Sequence, residues 1–302
     1  MVYTLGESLL DVIFTNLDNV VAKPGGSMLN VAVSLGRMNI PVMHISEMGT
    51  NPVAEMMLGF LRDNGVGIQY INQYPGENTS LALAFLDQEK KPVYQFVNAY
   101  PETRNLVVPS EIKPNDLVVF GSLYAVSAPV RKTILSFIQN AKEAGATIVY
   151  DPNIRHKHHL QENDVKKAML ENLRLAHIIK ASDEDCANLF GKGDEDFYLE
   201  NLTKNNGQAL IILTLGSNGA IAQFNSHKTR VKAESVKVVS TIGAGDAFNA
   251  GVIAALLKLK LTRGNIGHTT VDQLTFILEK GTHTAALVCG TMENYIPDTT
   301  NG

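Results

Sequence analysis

The feature that most constrains this chain is its alternation of short apolar runs with longer segments of helical period. Leu117-Val118-Val119-Phe120 is apolar at every position, so a strand built from it must be covered on both faces. Val2–Leu5, Val42–Ser46, Thr147–Tyr150, Ile178–Lys180 and Ala209–Leu215 read as further strands. Between them, Ser27–Met38, Val53–Asn64, Pro129–Ala144, Asp164–Arg174 and Glu184–Phe190 read as helices. That order predicts βαβ units, and so an α/β fold with a doubly wound, mostly parallel sheet flanked by helices.

Two stretches break the pattern. Leu9–Val21 and Leu81–Val97 are strand-rich with no helix inside them, and Asp87–Pro92 has the composition of a hairpin turn. Antiparallel strands inside a parallel chain imply a small separate sheet, either a lid over a site or an edge decoration. The expectation is one domain over residues 1–302 that carries these lid strands, with a loosely packed tail from Asn294 to Gly302.

A net charge of −4 over 302 residues gives no basic footprint for nucleic acid. No apolar run approaches the roughly 20 residues of a membrane span. Met1–Glu7 carries no basic leader, and Cys186 and Cys289 fit no metal or redox spacing. The expected location is the cytoplasm, with no nucleic-acid or membrane partner.

Chemistry concentrates where glycines precede helices. In Gly243-Ala244-Gly245-Asp246-Ala247-Phe248 the third glycine of a dinucleotide fingerprint is replaced by Phe, and no Lys-Ser or Lys-Thr completes a phosphate-binding P-loop. What remains is a set of backbone N–H groups at a helix N-terminus, suited to an anion, with Asp246 placed to accept a proton from an attacking hydroxyl. An ordinary glycine turn with an aspartate cap fits this stretch equally well. Gly25-Gly26 precedes a second helix, with Asn30 on its first turn offering a donor and an acceptor to sugar hydroxyls and Gly26 offering its N–H. A simple turn before a helix is the alternative there. Asp11 follows the first strand, where ligands gather in open sheets, although a surface turn aspartate reads the same. His156-Lys157-His158-His159 lacks a matching carboxylate or thiol and reads as a solvated loop.

The pair Gly25-Gly26…Asn30-Val31-Ala32 and Gly243-Ala244-Gly245-Asp246-Ala247-Phe248 resembles the two signatures of the ribokinase-like (PfkB) carbohydrate kinases. Asp151-Pro152-Asn153-Ile154-Arg155 resembles a run of the fructokinase and ketodeoxygluconate kinase branches. Lys180–Asp185 resembles the segment that organises magnesium and phosphate, and Leu213–Ala220 the nucleotide-side strand and turn. The resemblance implies an ATP- and Mg2+-dependent sugar kinase with Asp246 as base and the Gly243, Ala244 and Gly245 amides as anion hole. Asp11, Gly25, Gly26, Asn30 and Arg155 would then bind the sugar. Lys180, Thr214, Gly216, Gly219 and His283 would lie on the nucleotide side, with Asp185 on the magnesium side. It further implies a homodimer through the lid.

Departures from the family pattern fall elsewhere. Ser240 stands where an Asp helps to bind a monovalent cation, which leaves that cation open. Asp185 replaces Glu, Met292-Glu293-Asn294 replaces a Gly-Ala pair, His283 stands for an adenine-side Asn, and Asn51 and Val53 replace Asp and Gly. Fructose is the first substrate expected and ketodeoxygluconate the second, with Arg155 or Arg104 as the partner of its carboxylate. A non-catalytic sugar- or nucleotide-binding regulator on the same fold is the competing class.

Overall fold

The computed structural model describes residues 1–86, 92–154 and 163–298. The first part of the chain forms β1 (Val2–Leu5), β2 (Leu9–Asn16), β3 (Asn19–Gly25), α1 (Ser27–Arg37), β4 (Val42–Gly49), α2 (Pro52–Asp63), β5 (Val66–Tyr74), β6 (Leu81–Leu86) and β7 (Pro92–Val97). The middle forms β8 (Leu117–Gly121), α3 (Ala128–Glu143), β9 (Thr147–Asp151), α4 (Asn163–Leu175), β10 (Ile178–Ser182), α5 (Asp183–Phe190) and α6 (Glu195–Asn205). Last come β11 (Leu210–Thr214), β12 (Ala220–Phe224), β13 (His227–Val231), α7 (Ala244–Lys258) and α8 (Val271–Cys289).

The large sheet has nine strands in the order β13-β12-β11-β10-β9-β8-β1-β4-β5. Only the β12 and β13 pairings are antiparallel. Strands β8 and β9 are buried at every position, as the apolar runs Leu117–Phe120 and Ile148–Tyr150 require, and the burial extends to Thr147 and Asp151 at the ends of β9. Alternate residues serve opposite layers. Val119 and Val149 pack with α1, α2, α7 and α8, while Val118, Phe120 and Ile148 pack with α3 to α6. Each such side chain contributes about 1.5–3 kcal/mol when fully buried.

The chain lays β4 and β5 on one side of β1, then returns to place β8 on the other side. Helices α1 and α3, which follow on the two sides, therefore cover opposite faces. A reversal of this kind opens a crevice at the carboxyl ends of the central strands.

The two exceptional stretches find each other. They form a four-stranded sheet in the order β3-β2-β6-β7, in which β2 runs parallel to β6. Phe14 stands opposite Phe85 with the rings stacked at 5.0 Å. Strand β3 runs past Val21 to Gly25, because its pairing with β2 continues until Gly25 meets Leu9. The tail corrects the expectation of loose packing through Ile296. Tyr295 is 2% exposed, packs on Phe60 and lies under the Arg37 guanidinium, which also donates to the Ile296 carbonyl at 2.6 Å.

Candidate active site

Two helices begin at the same place in space. Both have glycine N-caps, Gly26 for α1 with φ of 116° and Gly243 for α7 with φ of 80°, and neither cap makes a side-chain bond to its helix. A Cβ on Gly26 would lie 2.1 Å from the Glu7 carbonyl oxygen, and one on Gly243 would lie 2.0 Å from that of Asn294. Only glycine fits both the turn and the close approach. The consequence is two first turns whose amides no cap side chain covers, at the positive ends of two helices.

Asp246 sits between them on the first turn of α7 and is 4% exposed. Its Oδ1 accepts a hydrogen bond from Ser27 Oγ at 2.6 Å, and its Oδ2 accepts one from Asn30 Nδ2 at 2.8 Å. Asn30 is 2% exposed, and its Oδ1 has no hydrogen-bond partner among the described residues. A buried acceptor without a donor is costly and marks a place that a ligand hydroxyl can satisfy. Asp11 on β2 lies across Gly25, where a Cβ would come 2.1 Å from Asp11 Oδ2. That same oxygen accepts from Asn294 Nδ2 at 3.3 Å. Asp11, Gly25, Gly26, Asn30, Gly243 and Asp246 thus share one site, with Asn294 between its two halves.

The pfkB family carbohydrate kinase profile matches residues 2–301. The chain belongs to this family. It is a carbohydrate kinase, and its relatives place it in the fructokinase-like branch. Probable fructokinase-6, chloroplastic, of Arabidopsis thaliana is 31% identical over 84% of this chain and 70% of its own length. The Escherichia coli fructokinase is 26% identical over 86% of each. In fold, the chain matches the crystal structure of the Vibrio cholerae O395 fructokinase in its fructose, ADP and calcium ion bound form. That match has a TM-score of 0.85 at 23% identity and covers 97% of this chain and 94% of the other.

Beneath the glycine loop of the kinase lies a buried charge cluster that the sequence does not announce as a unit. Lys180, 4% exposed, donates to Asp151 Oδ2 at 3.0 Å, and Asn249 Nδ2 donates to the same oxygen at 2.6 Å. The Lys180 ammonium lies 3.4 Å from where a Gly245 Cβ would be, so it faces the underside of the loop. Burial works against the charged lysine, but the Asp151, Asp185 and Asp246 carboxylates outweigh it and hold its pKa above the ordinary value.

Asp185 makes the capping box of α5 with Ser182. Its Oδ1 accepts from the Ile154 amide at 2.6 Å, and its Oδ2 from the Ser182 amide and hydroxyl at 2.8 and 2.7 Å. Burial, reinforced by the Asp151 charge, raises the Asp185 pKa. Both oxygens are thus engaged by this chain's own donors. Among the described residues no group of three or more His, Cys, Asp or Glu is arranged to hold a metal ion.

The remaining expected residues lie along β11 and α8. Thr214 ends β11 and its hydroxyl donates to the Ala181 carbonyl at 3.4 Å. Gly216 and Gly219 shape the following turn with φ of 54° and 90°. His283 is exposed on α8 and its Nδ1 stands 3.1 Å from the Glu234 carboxylate. The Ser240 hydroxyl accepts from the Ile242 amide at 3.2 Å. Arg155 and the His156–His159 tract lie outside the described residues.

Arg104 is committed elsewhere in the protein. Its guanidinium pairs with Glu47, which is 0% exposed, donates to Ser127 Oγ at 3.2 Å and stacks on Tyr100 at 3.9 Å. The Tyr74 and Tyr124 hydroxyls also donate to Glu47, and Tyr100 donates to Glu7. His44 is buried between the Thr4 and Ser8 hydroxyls at 2.8 and 3.0 Å, and Ser8 reaches Ser46, which donates to the Gly6 carbonyl. That chain of bonds fixes the turn carrying Glu7 and Ser8 ahead of Asp11. Ser27, Asn249 and His44 escape a reading of motifs, and the contacts of Asp151 and Asn294 do too, because their partners lie far away in sequence.

Proposed function

We propose that this carbohydrate kinase is an ATP-dependent fructokinase in which Asp246 is the base. The observation that carries the reading is the Asp246 carboxylate, held by α1 at the meeting of two helix N-termini whose caps leave their amides uncovered. The sugar lies against Asp11, Gly25, Gly26 and Asn30, and one of its hydroxyls donates to the orphaned Asn30 Oδ1. Asp246 takes the proton of the primary hydroxyl as that oxygen forms its bond to phosphorus. The bond from the γ-phosphorus to the bridging oxygen breaks, and ADP leaves.

The Gly243, Ala244 and Gly245 amides and the Lys180 charge stabilise the transferring group. Thr214, Gly216, Gly219 and His283 border the nucleotide. ATP would supply the phosphoryl group, and magnesium bound with it would offset the charge of its phosphates. A hydrated ion of that kind fits a chain whose Asp185 and Asp151 oxygens already hold amide and ammonium donors. Asp185 then acts at a distance, by charge, and Ser240 leaves the monovalent cation without its usual carboxylate.

Fructose is favoured by the relatives and by the commitment of Arg104. A ketodeoxygluconate carboxylate would find that guanidinium neutralised by buried Glu47. The four-stranded sheet is read as a lid that excludes water during transfer. Its exposed apolar residues, among them Phe85 at 43% and Val93 at 62%, support a homodimer formed through it. Among the described residues no helix is long and apolar enough to cross a membrane. The two cysteines are free, which accords with the reducing cytoplasm.

ADP release with Mg-ATP, measured against fructose, ribose, ketodeoxygluconate, tagatose and adenosine, tests the reading. Fructose is expected to turn over. Asp246→Asn is expected to lose about 100- to 10,000-fold in kcat while still binding the sugar. Equal ligand binding by both proteins with no turnover on any acceptor would instead support a binding protein.

A further inference from the structure

We propose that Ser27 is a positioning residue for Asp246, fixing the plane of the carboxylate so that one oxygen is presented to the sugar hydroxyl. The proposal rests on the kinase reading above and concerns a side chain outside the residues assigned to substrate or nucleotide.

Ser27 is the first residue of α1 and is 7% exposed. A serine in the cap position ordinarily turns its hydroxyl onto its own helix. Here Gly26 holds the cap position, no side chain caps α1, and the Ser27 hydroxyl instead crosses to α7. At 2.6 Å it makes a short, charge-assisted bond to Asp246 Oδ1. With Asn30 on Oδ2, the two oxygens are gripped from residues three apart on one helix face.

The two grips differ in kind. The Asn30 amide can only donate to the carboxylate, whereas a serine hydroxyl can turn and also accept. Once Asp246 has taken the sugar proton its charge is gone, and the bond from Ser27 weakens from a charge-assisted to an ordinary one. The charged groups around this pair include Lys180 from β10, which stands under the α7 loop, its partners Asp151 of β9 and Asp185 of α5, and Asp11 of β2 across Gly25. None of these changes when Ser27 is replaced. Losing the hydroxyl frees the carboxylate to swing and removes a donor that favours its charged form.

The test is steady-state kinetics of wild type, Ser27→Ala and Ser27→Thr across pH, with thermal melting of each. Ser27→Ala is expected to lose about tenfold in kcat, with KM for ATP within about twofold of wild type. The acidic limb of its kcat/KM profile should move to higher pH. Ser27→Thr keeps a hydroxyl and should restore both. Wild-type kcat and pH profile in Ser27→Ala would overturn the proposal, and so would a threonine variant as impaired as the alanine one. Should Ser27→Ala fail to fold, the near-isosteric Ser27→Cys serves instead, and wild-type kinetics there would overturn it equally. A wild type inert on every acceptor would remove the base itself, a failure of the kinase reading that is distinct from any failure of Ser27.

Discussion

Single residues in this kinase matter most where they are buried and polar. His44 is the sharpest case, because burial pushes its imidazole down to about 4. In the unfolded chain the same ring titrates near its ordinary value of about 6.5. Below that pH the unfolded state binds a proton that the folded state refuses. Its contribution to stability is therefore complete above about pH 6.5 and is lost as the pH falls toward 4. His177, also pushed down to about 4, adds in the same direction. The loss from His44 alone should be on the order of 3 kcal/mol. Urea unfolding at pH 7, 6 and 5 would show it, and His44→Asn should flatten the slope. An unchanged slope in that variant would place the acid sensitivity elsewhere. Neither His44 nor Ser27 could be assigned from sequence. His44 is a polar residue in an apolar strand, and its meaning depends on Thr4 and Ser8, 40 and 36 positions away.

At the scale of elements, the site is made by helices and strands meeting end to end, and here sequence reading succeeded unevenly. Strands β8 and β9 were legible because the runs Leu117–Phe120 and Ile148–Tyr150, apolar at every position, allow only a covered strand. The glycine turns before α1 and α7 were legible because few chemistries need them. The β12–β13 hairpin and helices α6 and α8 were not distinguished. Strand β13 reads His-Lys-Thr-Arg-Val, with no apolar alternation to betray it. The clasp of β9, β10 and α7 through Asp151, Lys180 and Asn249 was invisible for a different reason, since three unrelated segments supply it. Removing Asp151 takes from buried Lys180 the carboxylate it donates to and leaves it to the more distant charges of Asp185 and Asp246. Asp151→Ala is therefore expected to lose up to about 3–5 kcal/mol in urea unfolding. Asp151→Ala combined with Lys180→Met should recover much of that stability. A single variant within about 1 kcal/mol of wild type would mean that water reaches Lys180 and the clasp is not sealed.

For the whole molecule, the reversal of strand order at β1 places the crevice, and the small sheet stands apart from the nine-stranded one. The pairing of β2 with β6 was foreshadowed by two stretches that refused the helical period, although nothing in either named the other as partner. If copies of this chain associate through that sheet, Phe85→Glu with Val93→Lys should shift the mass seen by light scattering from dimer to monomer. A wild type already monomeric at high concentration would end that idea.

The grip of α1 on Asp246 joins residues 219 and 216 positions apart. Contacts so distant along the chain carry the loop-closure entropy of most of its length. The arrangement of Asp246 thus depends on bringing together two distant parts of the chain. On the proposed reading, a chain in which α1 and α7 have not yet met holds both glycine turns but no oriented carboxylate between them.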